Sequence, residues 1–326
     1  MSLLRVLTYH RILDPGDARK AAPGLLSGTP ASFARQMEYV ARRYRVVTLE
    51  QACDALMGGA PLPHGAALIT FDDGYRDFGE VAWPILNRLR LPVTVFVPTA
   101  YPGSRDRAFW WDRLAETVFS PANKEIHVET IGRVPLETDE QRLRAFGLVR
   151  DHVKTLSHED AMAVVDGLSA RSKRVDAAVP AVLDWDELRR LNKAGVAIGP
   201  HTRTHPLLSH VSEDVVAAEV AGSLEDVRRE IGNCLPVFCY PSGDVDDAVV
   251  GIVARCGIEV AFSTIDGHND LRTVDRMRLR RTNITPRTTA WVFALRLTPL
   301  GAAIDRWRHR SRIPRENSRR SAEPAY

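Results

Sequence analysis

The sequence predicts an α/β fold built on a parallel sheet or a barrel. Short apolar runs, which indicate strands, alternate along the chain with longer segments of helical periodicity. Most of these runs lack the apolar–polar alternation of a half-exposed sheet, so we expect strands that are covered on both faces. The expected strands span residues 6–9, 45–48, 67–71, 93–97, 196–199, 237–240, 260–263 and 279–284.

Length and composition restrict the class of protein. The 326 residues suffice for one large domain or two ordinary ones. With 44% hydrophobic and 26% charged residues, the composition excludes a disordered chain. The net charge of +3 lacks the basic excess of a dedicated nucleic-acid binder. The four cysteines have no metal-type spacing and are too sparse for a disulfide scaffold, so a reducing compartment is expected.

The predicted helices carry recognisable start and stop signals. Ser32 is expected to cap the first helix, and Thr48 with Gln51 fits the capping box of the second. Gly195 and Gly232 are expected to end two later helices, because glycine readily adopts the backbone conformation found just past a helix end. This punctuation supports the alternation of strands and helices.

One stretch departs from the alternation. Residues 101–184 are predicted to be mostly helical, over 109–119, 139–155 and 160–178, and to lack a strong strand. The aromatic-rich start at 109–114 fits either a buried helix that packs on the body or part of a sugar or lipid platform. We therefore expect a single α/β domain over residues 1–304 with a helical insertion at about 101–184.

The C-terminal tail has a different charge from the body. Residues 305–326 contain seven arginines and three acids, a net charge of +4, and follow a possible amphipathic helix over 291–307 that Pro299 interrupts. The tail is interpreted either as a frayed polar end or as an anchor for anionic lipid headgroups. No window approaches the roughly 18 apolar residues of a spanning helix, and no signal peptide is evident. We expect a cytoplasmic protein. The more specific hypothesis is that its tail contacts the inner face of the membrane.

Two adjacent carboxylates follow a predicted strand. Asp72 and Asp73 come directly after the apolar run 67–71, at the strand end where α/β folds place active sites. One such carboxylate can bind a metal while the other acts as a base. The pair is also common in plain turns and helix caps, so by itself the motif leaves both interpretations open.

Two histidines four residues apart form a second motif. His201 and His205 follow the predicted strand 196–199 and can converge on one cation if the loop coils into a turn. Asp73 can supply a carboxylate oxygen beside them. Two imidazoles and one carboxylate leave positions open for water and substrate, which is typical of a catalytic rather than a structural metal site.

Two further strand ends carry candidate residues. His10, at the exit of the first strand, is a candidate general acid if that strand lies in the same sheet; otherwise it is a core residue. The turn that contains Tyr240 and Ser242 follows the strand 237–240, and its backbone N–H groups could stabilise an oxyanion. An ordinary proline–glycine turn fits the same residues.

Together these motifs resemble the polysaccharide deacetylase family, the NodB-homology family of carbohydrate esterases. The matching segments are 70–74, 201–206 and 240–243, in the family's order and each after a predicted strand. The resemblance covers most of residues 1–90 and 185–290, and it explains neither the insertion nor the tail. It implies a distorted, incomplete (β/α) barrel.

The resemblance also implies a reaction, the metal-assisted hydrolysis of an N-acetyl group on a sugar. One divalent cation is implied, with Zn²⁺ as the default and Ni²⁺, Co²⁺ or Mn²⁺ as alternatives. Asp72 would be the general base, and a backbone N–H near Tyr240 or Ser242 would help to hold the oxyanion. The implied metal ligands are Asp73, His201 and His205.

The chain departs from the family pattern in two places. Cys239 stands where the family usually has an arginine that orients the base, and Arg280 or Arg281 is the expected substitute. The family's late histidine motif is missing as well. One branch of the family carries its general-acid histidine near the N-terminus in a Tyr-His motif, which residues 9–11 resemble. This similarity makes His10 the expected general acid.

The leading hypothesis is a metal-dependent sugar de-N-acetylase of bacterial polysaccharide or glycolipid biosynthesis. A nucleotide-linked or lipid-linked saccharide fits a cytoplasmic enzyme better than a finished wall polymer does. A deformylase or amidase that acts on another acyl amide is the enzymatic alternative. A catalytically silent carbohydrate-binding relative is the alternative from a different class. A nucleic-acid partner is not expected, because the basic residues cluster in one tail.

Overall fold

The chain folds around a mostly parallel β-sheet that is nearly closed into a barrel. The computed structural model describes residues 3–17, 21–104, 107–170 and 181–310. The two ends of the sheet pack against each other, and short strands extend it: β4 (Arg45–Val46) beside β5 (Ala66–Phe71), and the antiparallel β12 (Asn269–Asp270) beside β1 (Leu3–Tyr9). The strand order is β10 (Val237–Cys239), β11 (Val260–Asp266), β13 (Leu279–Asn283), β1 (Leu3–Tyr9), β5 (Ala66–Phe71), β6 (Thr94–Val97) and β9 (Ala197–Pro200).

Each expected strand is present, and the predicted parallel α/β barrel is confirmed. The pairs along the barrel path are parallel. Strand β5 is buried along its whole length, as a strand covered by helices on the outside and by core side chains on the inside should be. A small parallel pair, β2 (Arg11–Ile12) with β3 (Leu26–Gly28), lies just past the end of β1.

Helices cover the outside of the barrel. The capping box of Thr48 and Gln51 at α2 is confirmed, whereas the cap of α1 is Thr29 rather than Ser32. Ser32 occupies the third helical position, and its backbone N–H donates to the Thr29 hydroxyl. The helix begins earlier than expected because Pro30 fits the first helical position. The helices of the barrel are α1 (Pro30–Arg43), α2 (Leu49–Leu56), α3 (Trp83–Arg88), α7 (Trp185–Lys193), α8 (Glu213–Ile231), α9 (Asp247–Arg255), α10 (Ala290–Arg296) and α11 (Pro299–Arg310).

The insertion after β6 has its own apolar core and one feature that was not predicted. Its helices are α4 (Trp110–Phe119), α5 (Asp139–Val153) and α6 (His158–Ala170). Between α4 and α5 lies a short antiparallel hairpin, β7 (Glu125–Val128) with β8 (Gly132–Pro135), which the sequence did not predict. The alternation of buried Ile126 and Val128 with exposed neighbours covers only four residues, too few for a periodic signal.

The C-terminal segment forms two short helices, α10 and α11, separated near Pro299 as the sequence predicted. The Arg5 side chain donates to the carbonyl of Leu297 at 2.7 Å and so ties this segment to the barrel. The predicted anchor continues past residue 310, outside the described residues. Within the described part of the chain, no helix is long and apolar enough to cross a membrane.

The parallel strands determine where the candidate residues meet. His10 follows β1, Asp72 follows β5, His201 follows β9 and Ser242 follows β10. Because the carboxyl ends of parallel strands lie at the same end of a barrel, all four positions face one opening.

Candidate active site

Asp73, His201 and His205 converge on one point. Asp73 Oδ1 lies 3.7 Å from His201 Nε2 and 3.4 Å from His205 Nε2. The three side chains are at most 6% exposed, and their potential ligand atoms all lie within 4.8 Å of one another. The sequence predicted this triad, and the fold brings its members together from two different strand ends.

The chemistry of this triad fits a divalent cation. Asp73 Oδ1 is buried and has no hydrogen-bond partner among the described residues. Burial lowers the pKa of His201 to about 4 and that of His205 well below its usual value, so both rings are neutral and offer lone pairs. Burial and the neighbouring Asp72 raise the pKa of Asp73, which a cation would reverse. Two neutral imidazoles and a carboxylate are ligands that suit zinc and its neighbours.

Two members of the triad, together with Thr202 between the histidines, have strained backbone conformations. His201 Nδ1 contacts the carbonyl of Cys239 at 2.7 Å, which directs Nε2 toward Asp73. The backbone N–H of His205 donates to the Thr202 hydroxyl at 3.0 Å. Asp73, Thr202 and His205 have φ values of 70°, 66° and 59°, which non-glycine residues rarely adopt. Such clustered strain is typical of functional sites.

Asp72 is held by a bidentate ion pair with Arg281. Arg281 Nη1 and Nη2 donate to the two Asp72 oxygens at 2.8 and 2.7 Å, and both residues are fully or nearly fully buried. Burial alone would raise the pKa of Asp72, but the Arg281 guanidinium more than offsets this and holds the pKa well below its usual range. The Cys239 thiol also lies 3.7 Å from Asp72.

Of the two arginines that the sequence left open, Arg281 and not Arg280 is therefore the one that contacts the Asp72 carboxylate. Arg281 is itself fixed, because its Nε donates to the carbonyl of Ser263 at 2.7 Å. The Arg280 side chain instead donates to the carbonyl of Asp266. The sequence limited the choice to these two neighbours but did not decide between them.

His10 lies on the open side of Asp72. Its Nε2 is 3.9 Å from Asp72 Oδ2, its side chain is 26% exposed, and it lines the central cavity. The backbone N–H of His10 donates to the Ser27 hydroxyl at 2.9 Å, which fixes the residue at the end of β1. Burial lowers the pKa of His10, and the Asp72 charge acts in the opposite direction.

Of the two candidates in the third motif, Ser242 lines the cavity. The Tyr240 backbone N–H donates to the carbonyl of Phe262 at 3.0 Å within the sheet, and its ring packs in the core against Phe238. Tyr240 therefore has no backbone donor to offer at the site. Ser242 has a φ of 54° in a tight turn, whose two hydrogen bonds come from the N–H groups of Gly243 and Asp244.

The insertion supplies one wall of the cavity. The cavity has a volume of about 290 Å³ and contains the catalytic candidates together with insertion residues. The Trp111 ring lies 4.7 Å from the His205 ring, and its Nε1 donates to the Tyr75 hydroxyl, which donates to Asp112. The aromatic-rich segment gave the only sequence signal for this wall. The insertion residues that line the cavity are Trp110, Trp111, Phe146, Arg150, Asp151 and Lys154.

Comparisons with known proteins agree with this geometry. The family model for polysaccharide deacetylase matches residues 59–261, and the chain belongs to that family. A curated relative, the poly-β-1,6-N-acetyl-D-glucosamine N-deacetylase of Escherichia coli strain K12, is 31% identical over 120 residues, which are 37% of this chain and 15% of that protein. The chain thus matches only a small part of that relative.

Solved structures show the same fold. The Streptococcus pyogenes deacetylase PplD, solved with acetate, has a TM-score of 0.61 at 19% identity and covers 91% of this chain and 99% of its own. IcaB from Ammonifex degensii has a TM-score of 0.58 at 19% identity and covers 94% and 98%. BC0361, a polysaccharide deacetylase from Bacillus cereus, has a TM-score of 0.58 at 19% identity and covers 91% and 69%.

Proposed function

We propose that this chain is a metal-dependent N-deacetylase that hydrolyses the N-acetyl group of a saccharide. One observation carries the proposal: the buried Asp73–His201–His205 triad lies beside a carboxylate, Asp72, that is kept ionised. Membership of the polysaccharide deacetylase family and the names of the relatives support the same reaction.

Asp73, His201 and His205 would hold one divalent cation, with zinc as the default and nickel, cobalt or manganese as alternatives. When bound, such a cation acts as a Lewis acid toward the attacking water and the acyl oxygen. His201 is held by its contact with the Cys239 carbonyl and His205 by its hydrogen bond to Thr202, so little reorganisation is needed on binding.

Asp72 is the proposed general base. Its ionised carboxylate takes a proton from the attacking water, and Arg281 keeps both oxygens oriented throughout. His10, on the exposed side of Asp72, then delivers a proton to the departing amine nitrogen. The backbone N–H of Ser242 is the proposed donor to the acyl oxygen as negative charge develops there.

The proposed substrate is an N-acetylated saccharide of bacterial polysaccharide or glycolipid biosynthesis, linked to a nucleotide or a lipid. We propose a cytoplasmic enzyme with one barrel domain, residues 1–304, followed by a basic tail that contacts the inner face of the membrane. The charge of the tail supports the proposed membrane contact, and the relative named as a poly-β-1,6-N-acetyl-D-glucosamine N-deacetylase supports an N-acetylated saccharide as the substrate.

The silent-relative hypothesis loses its main support. It depended on Cys239 in place of an arginine, and Arg281 provides the same charge to Asp72 from β13, two strands away from β10 in the sheet. The deformylase hypothesis differs from the deacetylase hypothesis only in the acyl group that is removed, formyl instead of acetyl. A panel of substrates that carry either group can decide between them.

The test is acid release from a panel of N-acetylated and N-formylated substrates. The panel contains β-1,6-linked N-acetylglucosamine oligomers, N-acetylated nucleotide sugars and lipid-linked N-acetylated sugars, with N-formyl counterparts. We expect acetate release by the wild-type protein and its loss in Asp73→Asn. Faster formate than acetate release would favour the deformylase, and no acid release from any substrate would contradict the proposal.

A further inference from the structure

The insertion wall of the cavity carries two basic side chains at the end of α5. Arg150 and Lys154 line the same cavity as Asp72, Asp73 and His10. Neither residue belongs to the motifs that carry the proposed chemistry, and both come from the insertion rather than the barrel. Their position beside the reacting centre means that a bound saccharide would pass them.

The two cations differ in their partners. Arg150 Nε and Nη2 reach Asp151 Oδ1 at 2.8 and 2.7 Å, so this arginine and this acid compensate each other. Asp244, the other acid that acts on Lys154, accepts hydrogen bonds from the backbone and hydroxyl of Ser209. Among the described residues, no carboxylate lies within ion-pair distance of the Lys154 ammonium.

The wall therefore presents, beside aromatic surface, one ammonium that has no ion-pair partner among the described residues. Trp110, which is half-buried, lines the cavity and can pack against a sugar ring, with the buried Trp111 and Phe146 beside it. Lys154 is exposed where it lines the cavity, and partial desolvation together with the neighbouring Arg150 lowers its pKa, so an anion placed between the two cations would stabilise the ammonium. An uncharged homopolymer would leave this charge without a partner.

We propose that Lys154, assisted by Arg150, forms a subsite for an anionic group that the substrate carries next to its N-acetylated sugar. The group is a phosphate or a carboxylate, both of which present charged oxygens to an ammonium. This inference rests on the proposed deacetylase function and specifies its substrate class: an anionic glycan is preferred to a neutral one.

The test compares three acceptors that share one N-acetylglucosamine oligosaccharide: the neutral form, a form with a terminal phosphate, and a form with a neighbouring glucuronate. Lys154→Gln is expected to raise KM for the preferred anionic acceptor roughly 10-fold, the size of one charge-assisted hydrogen bond, and to leave the neutral acceptor unchanged. The phosphate and glucuronate arms identify which anion the subsite binds. Lys193→Gln on α7, an exposed lysine far from the cavity lining, is the matched control.

Binding measurements separate this inference from the catalytic proposal. Calorimetry with N-acetylglucosamine 1-phosphate, N-acetylglucosamine and N-acetylglucosamine linked to glucuronate requires no turnover. Wild-type protein is expected to bind at least one anionic ligand more tightly than the neutral sugar, and Lys154→Gln to remove that preference. Equal affinity for all three ligands, or an anion preference that survives in Lys154→Gln, would overturn the subsite. Loss of acetate release with the anion preference intact would count against the catalytic proposal alone.

Discussion

Asp72 and Asp73 are adjacent in the sequence and have opposite electrostatic surroundings. Arg281 neutralises Asp72 and holds its pKa low, while burial raises the pKa of Asp73, which faces two imidazoles. Neighbouring carboxylates with divergent pKa values commonly divide the roles of base and ligand. The division here depends on one arginine.

The role of Arg281 can be tested by a conservative change. Arg281→Lys keeps the positive charge but loses the bidentate hydrogen bonds, so the Asp72 carboxylate should no longer be held in one orientation. We expect kcat to fall by about 100-fold with unchanged metal content, since small misplacements of a reacting group cost this much. Arg280→Lys, one residue away and not in contact with Asp72, is the control. Equal kinetics for the two variants would contradict the assignment.

The role of His10 can be tested through the leaving group. His10→Gln should lower amide hydrolysis by about 10²- to 10⁴-fold, because an amine nitrogen needs a proton to depart. An acetyl ester of 4-nitrophenol needs no such proton, so its hydrolysis should be nearly unaffected. The measurement is the loss of amide hydrolysis divided by the loss of ester hydrolysis in His10→Gln, with metal content as the control. An equal loss on both substrates would assign His10 a structural role instead.

Sequence reasoning located the catalytic candidates and limited the supporting arginine to Arg280 or Arg281, without deciding between the two. Asp72, Asp73, His201 and His205 were predictable because each follows an apolar strand, and parallel strands end on one side. The pairing of Arg281 with Asp72 depends on the position of β13 beside β1 in the sheet order, which local sequence does not encode.

At the scale of elements, the insertion contains a second apolar core and supplies one wall of the cavity. Its apolar cluster is separate from the one under the barrel, and it contributes Trp111, which packs on His205. The sequence predicted its helices but neither the hairpin nor the wall, because both depend on contacts between distant segments. The candidate catalytic residues therefore come from the barrel, and one wall of the cavity comes from the insertion.

The separate core of the insertion predicts local unfolding. Leu114, on α4, is 1% exposed within this cluster, and Leu114→Ala should cost about 2–5 kcal/mol of stability. Hydrogen exchange should accelerate in α4–α6 far more than in β1 and β5. The matched control is Leu143→Ala at an exposed position on α5. Uniform acceleration across the barrel would show that the two cores unfold as one unit.

At the scale of the whole molecule, the net charge of +3 divides into unlike parts. The tail, residues 305–326, carries +4, so the remainder sums to about −1. A chain cut after Trp307 should bind vesicles with anionic lipid more weakly, by about 1 kcal/mol for each basic residue near the surface. Vesicles of neutral lipid are the control. Unchanged partition of the shortened chain would exclude the tail as an anchor.

The central claim is that one cation, held by Asp73, His201 and His205, is required for deacetylation. Acetate release, measured as chelated protein is titrated with zinc, tests it most directly. We predict that activity returns in proportion to bound zinc and saturates at one ion per chain, while Asp73→Asn stays inactive. Full acetate release from protein without detectable metal would contradict the account.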